Sequence, residues 1–278
     1  MRKNSETLDV NIARILHLKW MFDLKQALTN EETLSPVDNH MECDLGLWLK
    51  ASGLKKFHQF DAVQRLDSVH TQFHDKVSEL MSNRTDKTTE EINLKLESLT
   101  EVSREIIYLL TELELASTQM QERQEKMSHP LSSLLDYLMN TKTQRDPEQN
   151  LGSPLQVSHV RLKHVQWTEN MPSAFKNRGR HTSLATATEC DLGIWTKNLH
   201  SQHYNSIQEI KKLDELHVFF HEVAQNTVDA LRKNEDQQAE IYYSEMKEMS
   251  REIVYLLSLI EYIMKDSDAI ESLSTHFI

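Results

Sequence analysis

The chain has 278 residues, with 43 acidic against 31 basic side chains and a formal net charge of −12; this balance disfavours nucleic acid and anionic membranes as partners, since both need a basic surface. Five glycines and five prolines predict long helices with few turns, and two cysteines are too few for a disulfide framework and fit a reducing compartment. The opening residues MRKNSETLDVNIARIL lack the apolar core of a signal peptide, and the longest apolar stretch, Ile253 to Ile263, is broken by Glu261 and too short to span a bilayer, so the expected location is cytoplasmic.

In chain order, a first helix is predicted from about Leu8 to Leu28, where Ala13, Leu16, Trp20, Leu24 and Ala27 keep a helical period and His17 lies at the edge of the stripe. Asn30, Ser35, Pro36 and Asp38 mark a loop. A short helical segment follows around Glu42 to Ala51, with Gly53 placed to end it. A third helix spans roughly Phe60 to Met81, with Val63, Leu66, His70, Phe73, His74 and Val77 on one face. A fourth runs from about Thr89 to Glu122, opened by a Thr88/Glu91 capping box, with Ile92, Leu96, Leu99, Ile106, Leu109 and Leu113 on its buried side. The apolar stretch Leu131 to Met139 extends the first domain or bridges to the second.

The rest of the chain repeats the first part. His17, Trp20, Cys43, Gly46, Trp48, His70 and His74 recur as His164, Trp167, Cys190, Gly193, Trp195, His217 and His221, each 147 positions on. The helices of the second repeat are expected near 155–176, 188–199, 206–232 and 236–265, and SREIIYLL at 103–110 returns as SREIVYLL at 250–257. Pro172 stands where the first repeat has Lys25 and must shorten or bend its helix. The polar segment Thr141 to Pro154 reads as a linker. The expected architecture is all-α: two tandem antiparallel four-helix bundles related by internal duplication, over 1–140 and 155–278, joined by 141–154.

Three histidines and one cysteine per repeat, at fixed spacing, supply the four N/S ligands of a closed tetrahedral zinc site. His70 and His74, like His217 and His221, sit one helical turn apart and stack on one face. The thiolate favours zinc over magnesium, calcium or manganese. Two Zn2+ per chain, one per repeat, are therefore expected on His17, Cys43, His70 and His74 and on His164, Cys190, His217 and His221. Any one of these residues alone is weak ground, since Cys43 taken singly reads as a small buried hydrophobe and Trp20 and Trp48 as core aromatics. His40, three before Cys43, has Ala187 as its counterpart and is expected to be a bystander. Glu42, Asp44, Glu189 and Asp191 flank the cysteines, either orienting ligand histidines or standing solvated.

Enzyme chemistry finds little support. HTQFH and HVFFH lack the glutamate of HExxH, no haem-attachment motif is present, no Glu-x-x-His carboxylate set pairs with these histidines, and scattered glycines build no phosphate loop. The chain is expected not to be an enzyme; a hydrolase reading would need one ligand displaced to admit water.

Taken together, the CDLGLW and CDLGIW segments at Cys43 and Cys190, each preceded by a helical histidine and followed by HxxxH, resemble the chemoreceptor zinc-binding domain family. The resemblance covers nearly the whole chain apart from the linker and termini. It implies a four-helix bundle with zinc on three histidines and one cysteine, in a domain that regulates an output module and answers to zinc or to oxidants such as hypochlorous acid. The residues present include no such output module, so the resemblance implies a separate signalling partner: a chemoreceptor, a histidine kinase complex or a diguanylate cyclase. Family members commonly dimerise, and the two repeats are expected to pack as an internal pseudo-dimer or to form a homo-oligomer. The alternative is a structural zinc protein acting as a protein-interaction module without redox sensing, with the echoed SREI(I/V)YLL segments contributing a binding surface or, on the plainer reading, pairing and packing inside the bundle.

Overall fold

A computed structural model describes residues 5–29, 39–82, 88–128, 157–201 and 207–265. All regular structure among them is helical: α1 (Ser5–Thr29), α2 (Asp44–Trp48), α3 (Leu54–Lys56), α4 (Asp61–Met81), α5 (Thr89–Ser128), α6 (Val157–Asn170), α7 (Pro172–Asn177), α8 (Asp191–Ser201), α9 (Gln208–Arg232) and α10 (Asp236–Lys265). No described helix is long and apolar enough to cross a membrane. The chain divides into two compact units, Met1–Glu114 and Leu115–Ile278, the division falling within α5. The expected bridge 131–139 and linker 141–154 lie outside the described residues.

In the first unit α4 follows its sequence pattern: Val63, Leu66, His70, Phe73, His74, Val77 and Leu80 are all buried. Arg65 pairs with Glu105, Lys76 donates to Ser98 at 2.8 Å and Lys95 pairs with Glu79, which sets α4 and α5 antiparallel. The capping box forms as expected, with the Thr88 N–H on Glu91 Oε2 at 2.8 Å and the Glu91 N–H on Thr88 Oγ1 at 3.3 Å. The α1 stripe differs from its expectation. Leu16 and Trp20 are half-buried, and the buried face carries Val10, Ala13, Arg14, His17, Leu18, Met21 and Leu24.

Gly53 does not end the second segment. The helix widens into a π-helical turn over Leu49–Gly53 and continues through α3. A Cβ at position 53 would lie 2.9 Å from the Trp48 ring, so the glycine is there to let that indole pack.

In the second unit the proline acts as expected. α6 stops at Asn170, Met171 turns, and Pro172 occupies the first turn of α7, where its missing N–H costs nothing. α7 ends on Arg178 at φ 53° followed by Gly179 at φ 69°. Asn234 at φ 62° turns α9 into α10. The core gathers Val157, Val160, Leu192, Trp195, Leu199, Leu213, Phe220, Val228, Ile253 and Leu257.

Each unit buries an ion pair inside this packing. Arg14 is fully buried and donates to Glu114 Oε2 at 2.6 Å and to Thr111 Oγ1 at 3.4 Å. Arg161, 147 positions on, is fully buried and donates to Glu261 Oε2 at 2.6 Å and to Ser158 Oγ at 3.2 Å, while Ser158 donates to Glu261 Oε1 at 3.0 Å. Glu261, which broke the apolar pattern of the sequence, is thus the partner of a buried arginine. Two desolvated charges gain little over an apolar pair of the same volume, but a lone one is expensive. Arg161→Met alone should therefore cost about 3–5 kcal/mol of stability, and adding Glu261→Leu should recover most of it. Urea midpoints of the two variants measure this; a single variant as stable as the parent would contradict the pairing.

Candidate metal centres

Cys43 caps the N-terminus of α2, and its sulfur accepts from the Gly46 N–H at 3.4 Å. The turn before it folds back so closely that a Cβ on Gly46 would lie 1.8 Å from the His40 carbonyl oxygen. Position 193 repeats this, 1.8 Å from the Ala187 carbonyl oxygen, and the Gly193 N–H reaches Cys190 Sγ at 3.4 Å. Glycine is disfavoured inside a helix, and only this close approach explains its place in both. The turn brings each sulfur over the HxxxH face of the next long helix.

There the ligand atoms converge. Cys43 Sγ lies 3.1 Å from His70 Nε2, and His74 Nε2 lies 3.2 Å from the same nitrogen. The matching separations in the second unit are 3.2 Å from Cys190 Sγ to His217 Nε2 and 3.0 Å from His221 Nε2 to His217 Nε2. Each trio places its donor atoms within 4.8 Å of one another. The structure thus brings together Cys43, His70 and His74, and Cys190, His217 and His221. His17 lines the same cavity as the first trio but stands apart from that group, its Nε2 3.0 Å from Ser103 Oγ. His164 lies likewise 3.1 Å from Ser250 Oγ.

Aromatic packing sets the ring orientations. Phe73 meets His17 edge-on at 4.7 Å between centroids and Trp20 at 5.4 Å; Phe220 stands 4.7 Å from His164 and 5.3 Å from Trp167. Trp20 and Trp167 are therefore half-buried walls of the two centres. His40 stands near the first centre, its ring 6.4 Å from that of His74. Glu189 accepts from the Thr186 N–H at 3.2 Å and its hydroxyl at 2.7 Å, closing the turn before Cys190 rather than bonding a ligand histidine.

Burial keeps five of these imidazoles neutral. Desolvation first, then the neighbouring histidines, push His17, His70, His164 and His217 down to about 3; burial also lowers His221, against a backbone hydrogen bond at Ala185. These rings need lose no proton to bind a metal at neutral pH. The Cys190 thiol moves the other way, raised by burial and only partly opposed by the Gly193 and Leu192 N–H groups. A cation is what would hold it as thiolate.

The donor set fits zinc. Two imidazole nitrogens on one tetrahedral zinc stand about 3.3 Å apart and a sulfur and a nitrogen about 3.5 Å, close to the separations present in both units. A thiol with neutral imidazoles is the ligand chemistry zinc takes, and magnesium and calcium do not.

The serines beside His17 and His164 were not legible as site residues. Ser103, Tyr108, Ser250 and Tyr255 are buried, so these positions of the echoed SREI(I/V)YLL segments form core rather than a binding surface. The available signal was a serine held at the same place in two apolar helices.

A helical module with a cysteine–histidine group suited to zinc is the class of protein these units define. The family model of the chemoreceptor zinc-binding domain matches residues 17–81, from His17 to the end of α4. No curated protein and no solved structure matches the chain.

The close approach at the cysteine turn yields a test. Gly46→Ala should push the His40 carbonyl and with it Cys43 away from His70, removing zinc from one site of the chain while the other keeps its own. Zinc per chain of the variant, by atomic absorption, measures it; an unchanged ratio would contradict the role given to the glycine.

Proposed function

We propose that the chain is a cytoplasmic zinc-binding sensor or adaptor: two tandem antiparallel four-helix bundles, related by internal duplication, each holding one Zn2+ on three histidines and a cysteine. The observation that carries this reading is the pair of Cys-His-His groups, alike in donor type and spacing at positions 147 apart. His17 and His164 complete the two sets, as neutral buried rings beside them. Bound zinc would keep each cysteine deprotonated at neutral pH.

The cysteines are the reactive groups. Both are half-buried, on short turns rather than in a long helix. The Cys43 or Cys190 thiolate attacks the chlorine of hypochlorous acid, forming S–Cl as the O–Cl bond breaks to release hydroxide; water then displaces chloride, leaving a sulfenic acid whose sulfur has been oxidised by two electrons. The sulfenic acid is a weaker ligand than the thiolate, so the Cys turn loses what holds it over the HxxxH helix. Its displacement is the change a partner reads. That partner is a separate signalling protein: a chemoreceptor, a histidine kinase complex or a diguanylate cyclase.

The purified chain should hold close to two zincs, one fewer in Cys43→Ser and in Cys190→Ser, and release them to mild hypochlorite with a change in circular dichroism or hydrodynamic size. Zinc that stays bound at oxidant doses that modify the thiols of ordinary proteins would leave a structural zinc module and overturn the sensor. A chain that takes no zinc would overturn the metal reading itself.

A further inference from the structure

The second centre contains a chain of hydroxyls whose protons can be assigned. Thr168 Oγ1 donates to the His164 carbonyl oxygen at 3.1 Å, which uses its only proton. Thr168 Oγ1 and Ser250 Oγ are 3.2 Å apart, so in that pair Ser250 must donate and Thr168 accept. Ser250 has then spent its one proton as well. Its contact with His164 Nε2 at 3.1 Å therefore has one polarity left: Nε2–H donates and the serine oxygen accepts. A neutral imidazole protonated at Nε2 carries its lone pair on Nδ1. Ser250 and Thr168 are buried, as is His164, so water does not readily reverse this assignment.

We propose that Ser250, backed by Thr168, is a positioning residue of the second metal centre, fixing His164 in the tautomer that binds metal through Nδ1, whereas His217 and His221 bind through Nε2. The inference rests on the zinc reading above for its metal and on the hydroxyl chain for its polarity. Ring packing against Phe220 holds the imidazole plane while Ser250 holds its Nε2 side. The nitrogen turned to Ser250 is unavailable to a metal, and the other is the one left for it. Histidine ligands characteristically donate their second N–H to an acceptor that fixes the ring, and removing the acceptor commonly costs 10- to 100-fold in metal affinity.

The first centre holds the same pair, Ser103 Oγ at 3.0 Å from His17 Nε2, but Met21 stands where the second has Thr168. Among the described residues, no hydroxyl uses up the Ser103 proton in the same way. Ser103 is the positional counterpart of Ser250, without the threonine that sets the polarity there.

The test is long-range 1H–15N correlation on the full chain labelled in histidine, metal-free and with cadmium-113 or zinc, beside competition titration of zinc against a chromophoric chelator. His164 should show a protonated Nε2 in both states and a metal-shifted Nδ1 when loaded. Ser250→Ala should weaken one of the two zinc equivalents by about 10- to 100-fold, and Thr168→Val, which leaves the serine in place, by less. A His164 protonated at Nδ1, or metal-bound at Nε2, would overturn the proposal; so would a Ser250→Ala chain with both zinc affinities intact. A chain that binds no metal defeats the zinc reading, and the metal-free spectrum still decides the tautomer.

Discussion

A carbonyl oxygen occupies the space where a side chain at position 46 would sit, and the first metal centre depends on that approach. The 39–43 turn crosses α2 within 1.8 Å of a would-be Cβ, and the crossing is what sets Cys43 Sγ beside His70 Nε2. The same relation at Gly193 and Ala187 sets Cys190 beside His217. Helix propensity alone would exclude glycine from both positions. The cost is accepted because no other residue lets a sulfur on a short segment reach donors on a long helix. The residues between the cysteine and the HxxxH pair are freer: the first unit spends them on a π-helical turn and α3, the second on a longer α8.

The remaining polar groups of each interior follow from placing imidazoles there. His17 on α1 brings Ser103 on α5 into the core, and one turn away Arg14 brings Glu114 and Thr111. In the second unit Arg161, Glu261 and Ser158 close a small network, and Thr168 and Ser250 another. Such groups are tolerable only when their hydrogen bonds are made, and here they are made mainly between the first and last helices of each unit. They fix the register of those two helices more sharply than apolar contacts do. A metal would add far more: structural zinc is worth about 10–16 kcal/mol in small domains, against about 5–15 kcal/mol for the whole stability of an ordinary one.

How much of this was legible depended on whether the sequence signal was a pattern or a partner. α4, α9 and α10 were readable because their apolar positions keep the helical period without interruption, and Pro172 announced its own break. The buried face of α1 includes Arg14 and His17, which carry no apolar signal, while Leu16 and Trp20, which keep the apolar period, are half-buried. Gly53 looked like a stop signal and is a clearance for Trp48. Six of the eight proposed ligands form the two tight trios, found from the repeat and from i, i+4 spacing. His17 and His164 stand beside those trios, turned toward serines, because their position depends on a partner 86 residues away that no local pattern encodes. The buried ion pairs were missed for the same reason, their partners being 100 residues apart.

The most direct measurement of the central claim is zinc K-edge X-ray absorption on the purified, zinc-loaded chain. A closed centre on each unit predicts, averaged over both zincs, one sulfur at about 2.3 Å and three imidazole nitrogens at about 2.0–2.1 Å. A first shell dominated by oxygen, or one without sulfur, would contradict it and would leave the cysteine turns without a ligand role.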